Sequence, residues 1–157
     1  MKITLTSTLA IVASAGMLWA AEVAPAEVSF EDGAVAQSLT GTPGDPAAGR
    51  EVIGDKSVGN CVSCHEIAAM ADVPFQGNIG PALDGAGDRW TDAELRGIVV
   101  NAKKMFPESM MPSFYRVDGF TRPGKEFTGK AADDTFGPLL SAQQVEDVVA
   151  YLATLKE

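Results

Sequence analysis

Five consecutive residues carry most of the chemistry open to this chain: Cys61-Val62-Ser63-Cys64-His65. They include both cysteines and the single histidine of a 157-residue sequence. Two thiols three positions apart on a short helical turn can each add to one vinyl group of a haem, and the histidine that follows then sits beneath the iron. The competing chemistries fit less well. A thioredoxin-like redox pair needs alternating strands and helices around it, and no such pattern is present. A structural zinc site needs four ligands, and cysteine and histidine together supply three. A disulfide across so short a ring closes little chain entropy. The motif points to one covalently bound haem c, attached through Cys61 and Cys64, with His65 as an axial iron ligand.

The second axial ligand is a matter of elimination. No other histidine exists, so a bis-histidine haem built from this chain alone is excluded. The sixth position falls to methionine, lysine, a weaker donor, solvent or a partner. Met1 and Met17 lie in the apolar start, leaving Met70, Met105, Met110 and Met111. Met70 follows His65 too closely to pass round the haem edge. Met111 is followed by Pro112, which holds the preceding residue extended and restricts the loop. Met111 is the first candidate, Met110 the next, with Met105 or a lysine behind. The competing reading is that Met110 and Met111 fill gaps in a core, a common use of methionine. A thioether opposite imidazole favours reduced iron and raises the potential, which points to electron transfer rather than chemistry at an open iron position.

The elements that must position these groups read as helical. Asp45-Pro46-Ala47-Ala48 offers a capping aspartate with proline at the first helical position, starting a short helix to about Ile53. Thr91-Asp92-Ala93-Glu94 is a capping box, and Leu95, Ile98, Val99 and Ala102 follow at helical spacing. Ser141-Ala142-Gln143-Gln144 repeats the capping logic before a face of Val145, Val148, Val149, Leu152 and Leu155. No stretch alternates convincingly between hairpin signals, so no sheet is expected. The connections from Glu66 to Trp90 and from Lys104 to Leu140 are long for a compact domain unless they wrap around something, and a haem is that something.

Composition bounds the rest. With 46% apolar and 21% charged residues, the chain has room for one domain. Twelve basic and 21 acidic side chains give a formal charge of -9, which argues against nucleic-acid binding. The opening Met1-Lys2, an apolar run from Ile3 to Trp19 and then Ala20-Ala21-Glu22 read as a secretory signal peptide, residues 1–20, cut after Ala20. The run is short and rich in hydroxyls for a membrane span, which needs about 20 apolar residues. Residues 21–44, with scattered proline, glycine, serine and threonine, read as an extended or loosely packed N-terminal arm before a domain of residues 45–157. The expectation is a soluble exported protein, periplasmic in a Gram-negative source.

The order of motifs completes the reading. Cys61-Val62-Ser63-Cys64-His65, then Gly80-Pro81-Ala82-Leu83, then Met111-Pro112, then a terminal helix ending in Tyr151-Leu152 resembles the class I cytochrome c family. The resemblance implies an all-α fold with few helices and long loops around one covalent haem. It implies that the Pro81 carbonyl receives the ring hydrogen of His65, and that Gly49 crosses closely against the last helix near Tyr151. The finer pattern, Gly59-Asn60 before the motif, Gly77-Asn78-Ile79 before Gly80, and Met111-Pro112-Ser113-Phe114-Tyr115, resembles the SoxX family of sulfur-oxidation cytochromes over about Asp45 to Lys156. That resemblance implies a heterodimer with SoxA, a larger cytochrome. The pair would be an L-cysteine S-thiosulfotransferase coupling thiosulfate oxidatively to the carrier SoxYZ. This chain would be its non-catalytic haem subunit, passing electrons from SoxA to a small diffusible cytochrome c. The alternative is a free-standing monohaem shuttle without a fixed partner. A haem domain serving a dehydrogenase or peroxidase is a third reading, weakened because Met111 would close the iron position. The aromatic-rich tract from Ser113 to Leu140, with Phe114, Tyr115, Phe120, Phe127 and Phe136, reads either as an interface core or as a loop folded over the haem.

Overall fold

A computed structural model describes residues 21–123, 129–133 and 135–157. The expected leader, residues 1–20, and Phe127 lie outside the described residues. Four α-helices are present among the described residues: α1 (Pro46–Gly54), α2 (Ala86–Arg89), α3 (Asp92–Asn101) and α4 (Ala142–Leu152). Short 3-10 turns punctuate the loops, and the only β pairing described is an isolated bridge between Glu31 and Ala34.

The helix starts follow the local chemistry. Asp45 caps α1 by accepting from the amide of Ala47 at 2.8 Å. Both capping boxes form, Thr91 with Glu94 and Ser141 with Gln144, each satisfying two otherwise unpaired amides. The helix α2 lies inside the connection from Glu66 to Trp90 that the sequence reads as a loop. It begins at Gly85, whose positive φ of 69° turns the chain, and it is only four residues long. It leans on the chain end, with the Gly87 amide donating to Leu155 and the Glu157 amide to Asp88.

The core is built where α1 and α3 meet α4. Val145, Val148, Val149, Leu152 and Leu155 all face inward, as the spacing predicts. The α1–α4 crossing needs glycine at position 49: a Cβ there would overlap the backbone carbonyl of Asp147 and sit 3.0 Å from the Tyr151 Cβ. The crossing is also tied by polar groups. The buried Asp147 carboxylate accepts from the Asp45 amide at 2.8 Å and from the Gln143 side chain at 2.9 Å.

The expected stripe on α3 is partly displaced. Leu95, Val99 and Ala102 are buried, but Ile98 is only half-buried, while Arg96, Gly97 and Val100 point into the protein. Arg96 is held inside by an ion pair. Arg96 and Glu146, 8% and 5% exposed, meet at 3.0 Å, and Arg96 also donates to the Val35 carbonyl at 2.9 Å.

The same carboxylate holds the N-terminal arm, accepting from the Leu39 amide at 2.7 Å and the Ser38 hydroxyl at 3.1 Å. The arm is irregular and packs closely against the domain. Leu39 is fully buried and Val35 nearly so, Val23 donates its amide to Leu39, and the Tyr115 hydroxyl donates to the Val23 carbonyl at 2.8 Å. Apolar anchors set singly in a segment without a sustained period leave no pattern, so sequence patterning does not show them.

Candidate functional site

The segment Cys61–Ser63 forms a 3-10 turn directly after Asn60, which adopts the left-handed conformation at φ 53°. The Asn60 side chain accepts from the Ser63 hydroxyl, an interaction that suits asparagine to this position. Inside the turn the amides of Cys64 and His65 both donate to the Cys61 carbonyl, at 3.1 and 3.0 Å. Val62 is fully buried and pins the turn to the core, leaving both cysteines and His65 half-buried. Neither cysteine is bridged.

A second strand of chain runs beside the first. The Gly77 amide donates to Val62 at 2.8 Å, the Gly80 amide to Cys64 at 2.8 Å and the Leu83 amide to Glu66 at 2.9 Å. This register brings the Pro81 carbonyl 2.7 Å from the His65 Nδ1. A carbonyl can only accept, so Nδ1 carries the hydrogen, which in the neutral ring leaves the lone pair on Nε2. Gly80 lies against the ring itself, where a Cβ would overlap the imidazole. Side chains that sequence reasoning did not single out hold this loop. Gln76 accepts from the Ile67 amide at 2.6 Å and donates to the Met70 carbonyl at 2.7 Å. Asp84 accepts from the Ala68 amide, and Arg89 donates to the carbonyls of Asp84 and Ala82. Their signal in the sequence is only a polar residue in a loop, which is common.

The candidate methionines separate clearly. Met70 is fully buried and Met110 is 80% exposed. Met105 lies beside Gly33 of the arm. Met111 is half-buried and packs on the same core as Cys61, Leu83 and Trp90. Its amide donates to Ser109 at 3.2 Å and its carbonyl accepts from the Lys103 ammonium at 2.7 Å. Past Pro112, the Ser113 hydroxyl donates to the buried Asn101 at 2.8 Å.

The donor set fits a haem. A neutral imidazole with Nδ1–H anchored to a carbonyl offers Nε2 to a metal, the arrangement metal-ligating histidines adopt. Burial pushes the Cys61 thiol up to about 11, the opposite of the low value a redox-active C-x-x-C nucleophile needs. No group of three or more histidine, cysteine, aspartate or glutamate side chains among the described residues is placed to hold a metal ion by itself.

The cytochrome c family pattern matches residues 46–156, most of the chain. The chain belongs to the cytochrome c family. Its fold is that of a class I cytochrome c, and its cofactor is one haem c attached through Cys61 and Cys64. Among solved structures, this cytochrome c matches the crystal structure of SoxXA from P. pantotrophus with 58% identity and a TM-score of 0.83, over 87% of its own length and 100% of the matched chain. The finer resemblance to the SoxX cytochromes stands with that match. No curated protein sequence matches.

The aromatic tract divides in the structure. Phe114 and Tyr115 are core residues, whereas Phe120 and Phe136 pair edge-to-face at 5.6 Å near the surface, with the Arg116 guanidinium over Phe120.

Proposed function

We propose that this cytochrome is the electron-transfer subunit of a SoxAX complex, receiving electrons from SoxA and delivering them to a small diffusible cytochrome c. The observation that carries the proposal is the 58% identity along the whole matched chain of SoxXA. SoxA is the fixed partner and the carrier SoxYZ the substrate of the complex. The nucleophilic cysteine of such a reaction belongs elsewhere, because both cysteines here are committed to haem attachment. Residues 1–20 serve as a cleaved leader and the mature chain works in the periplasm. Among the described residues no helix is long and apolar enough to cross a membrane.

The haem, when bound, supplies a one-electron iron couple. The protein's part is to hold and tune. His65 Nε2 and the Met111 thioether would be the side-chain donors that hold its iron. Pro81 fixes the tautomer and plane of the imidazole and makes Nε2 a stronger donor. Gly80 leaves room for the ring. The Asn60 turn and Val62 set the two thiols along one side of the site. With both donors in place the site would offer no open position to a substrate, which suits electron transfer rather than substrate chemistry.

The test is a tagged pull-down from the periplasm of cells grown on thiosulfate, followed by haem staining and mass identification. A second, larger haem protein at equal stoichiometry is the expected result. A lone haem-stained band would keep the family and replace the subunit role with that of a free shuttle.

A further inference from the structure

We infer that Lys103 is a positioning residue for the axial methionine, its ammonium holding the Met111 carbonyl and thereby the backbone from which the thioether projects. This rests on the reading of Met111 as the sixth ligand.

The base of Lys103 is fixed. It lies in the 3-10 turn Ala102–Lys104 that ends α3, and α3 is locked at its start by the Thr91 capping box and at its middle by the Arg96–Glu146 pair. The loop that carries Met111 leaves and returns at this same helix end. The Met105 and Phe106 amides both donate to Ala102, Ser113 donates to Asn101, and the Phe114 amide donates to Val99. Between those fastenings the Met111 amide is answered from within the loop by Ser109. Among the described hydrogen bonds, Lys103 alone reaches the Met111 backbone from outside the loop, at 2.7 Å.

A fixed carbonyl matters here because of what flanks it. Pro112 has its own φ locked by its ring, so holding the Met111 carbonyl removes the remaining freedom of the peptide between them. The methionine side chain has three rotatable bonds of its own, and a backbone free to swing would add to that wandering. A charged donor to a carbonyl is stronger than a neutral one. The neighbouring lysine is a natural control: the Lys104 ammonium lies over the Phe30 ring, 5.5 Å from its centroid, and serves the arm instead.

The experiment uses the holoprotein with Lys103→Met, Lys103→Arg, Lys104→Met and Met111→Ala. Two readouts are taken: the absorption band of methionine bound to ferric iron, and the rate at which added imidazole captures the iron, which tracks how often the thioether leaves. Lys103→Met is expected to weaken the band and speed capture roughly tenfold, the size of one lost charge-assisted hydrogen bond. Lys103→Arg restores both readouts and Lys104→Met leaves them unchanged. Equal effects of Lys103→Met and Lys104→Met would overturn the inference, since only charge would be acting. A band lost in Met111→Ala but intact in Lys103→Met overturns the inference alone. A band that survives Met111→Ala places the ligand elsewhere and overturns the reading and the inference together.

Discussion

The Nδ1 of His65 donates to the carbonyl of Pro81 across 2.7 Å, joining two loops sixteen residues apart. The contact goes with register: the backbone pairs of Gly77 with Val62 and Gly80 with Cys64 bring Pro81 alongside the ring. The orientation of the His65 ring is thus a property of the peptide backbone, with side chains only supporting it.

Met111→Ala is expected to abolish the methionine band of the ferric protein and lower the reduction potential, because imidazole would lose the thioether that favours reduced iron. Met110→Ala should change neither, since Met110 is exposed to solvent. Visible spectra and a redox titration check both, and the reverse pattern would move the ligand by one residue.

Gly80→Ala would drive a methyl group into the imidazole. The ring cannot yield without giving up Pro81, so a fall in the haem-loaded fraction is expected, read from haem absorbance against total protein. Normal loading with an unchanged spectrum would show that the ring has room the structure does not suggest.

Arg96→Met removes one member of a buried pair and leaves the Glu146 carboxylate in the protein interior. Breaking such pairs costs about 3–5 kcal/mol, and the lower end is expected because Leu39 and Ser38 still donate to Glu146. Denaturant unfolding of the holoprotein gives the number. A loss within half a kcal/mol of zero would mean that the pair is not buried in solution.

Tyr115 is held un-ionised by its burial and by the Glu22 carboxylate beside it, its value pushed up to about 12. Above pH 10 the unfolded chain releases this proton while the folded chain keeps it, so the group's contribution to stability falls as pH rises from about 10 to about 12. Tyr115→Phe should lose about 1 kcal/mol at neutral pH, from the hydrogen bond to Val23, and show a shallower decline in alkali. Parallel melting curves from pH 8 to 11 test the difference in slope.

Much of this architecture is legible in the residues because it is locally encoded. Thr91 with Glu94 and Ser141 with Gln144 announce their helices within four positions, and the haem motif needs only five. The burial of Arg96 is different in kind. Hydrophobic periodicity assigns each residue to a side by its own polarity, whereas Arg96 is inside because Glu146, fifty residues away, is there to meet it. Likewise Ile98 reads as a core residue and Gly97 does not, yet Gly97 faces inward because the Gly33 carbonyl lies where its Cβ would be. The Lys103 contact with Met111 is hidden for the same reason: a surface lysine gives no sign of which carbonyl it will find.

The bond between the Leu39 amide and Glu146 spans 107 residues of sequence. It sets an order of assembly. A chain made from its amino end presents Leu39 early, but the carboxylate that receives it arrives only with the last helix. Long-range closures of this kind come late and slowly in folding. Cys61 and Cys64, by contrast, sit in a turn whose hydrogen bonds reach no further than sixteen residues along the chain, so the haem-bearing segment can take shape while both ends of the molecule are still open. The N-terminal arm is therefore among the last segments to be fastened.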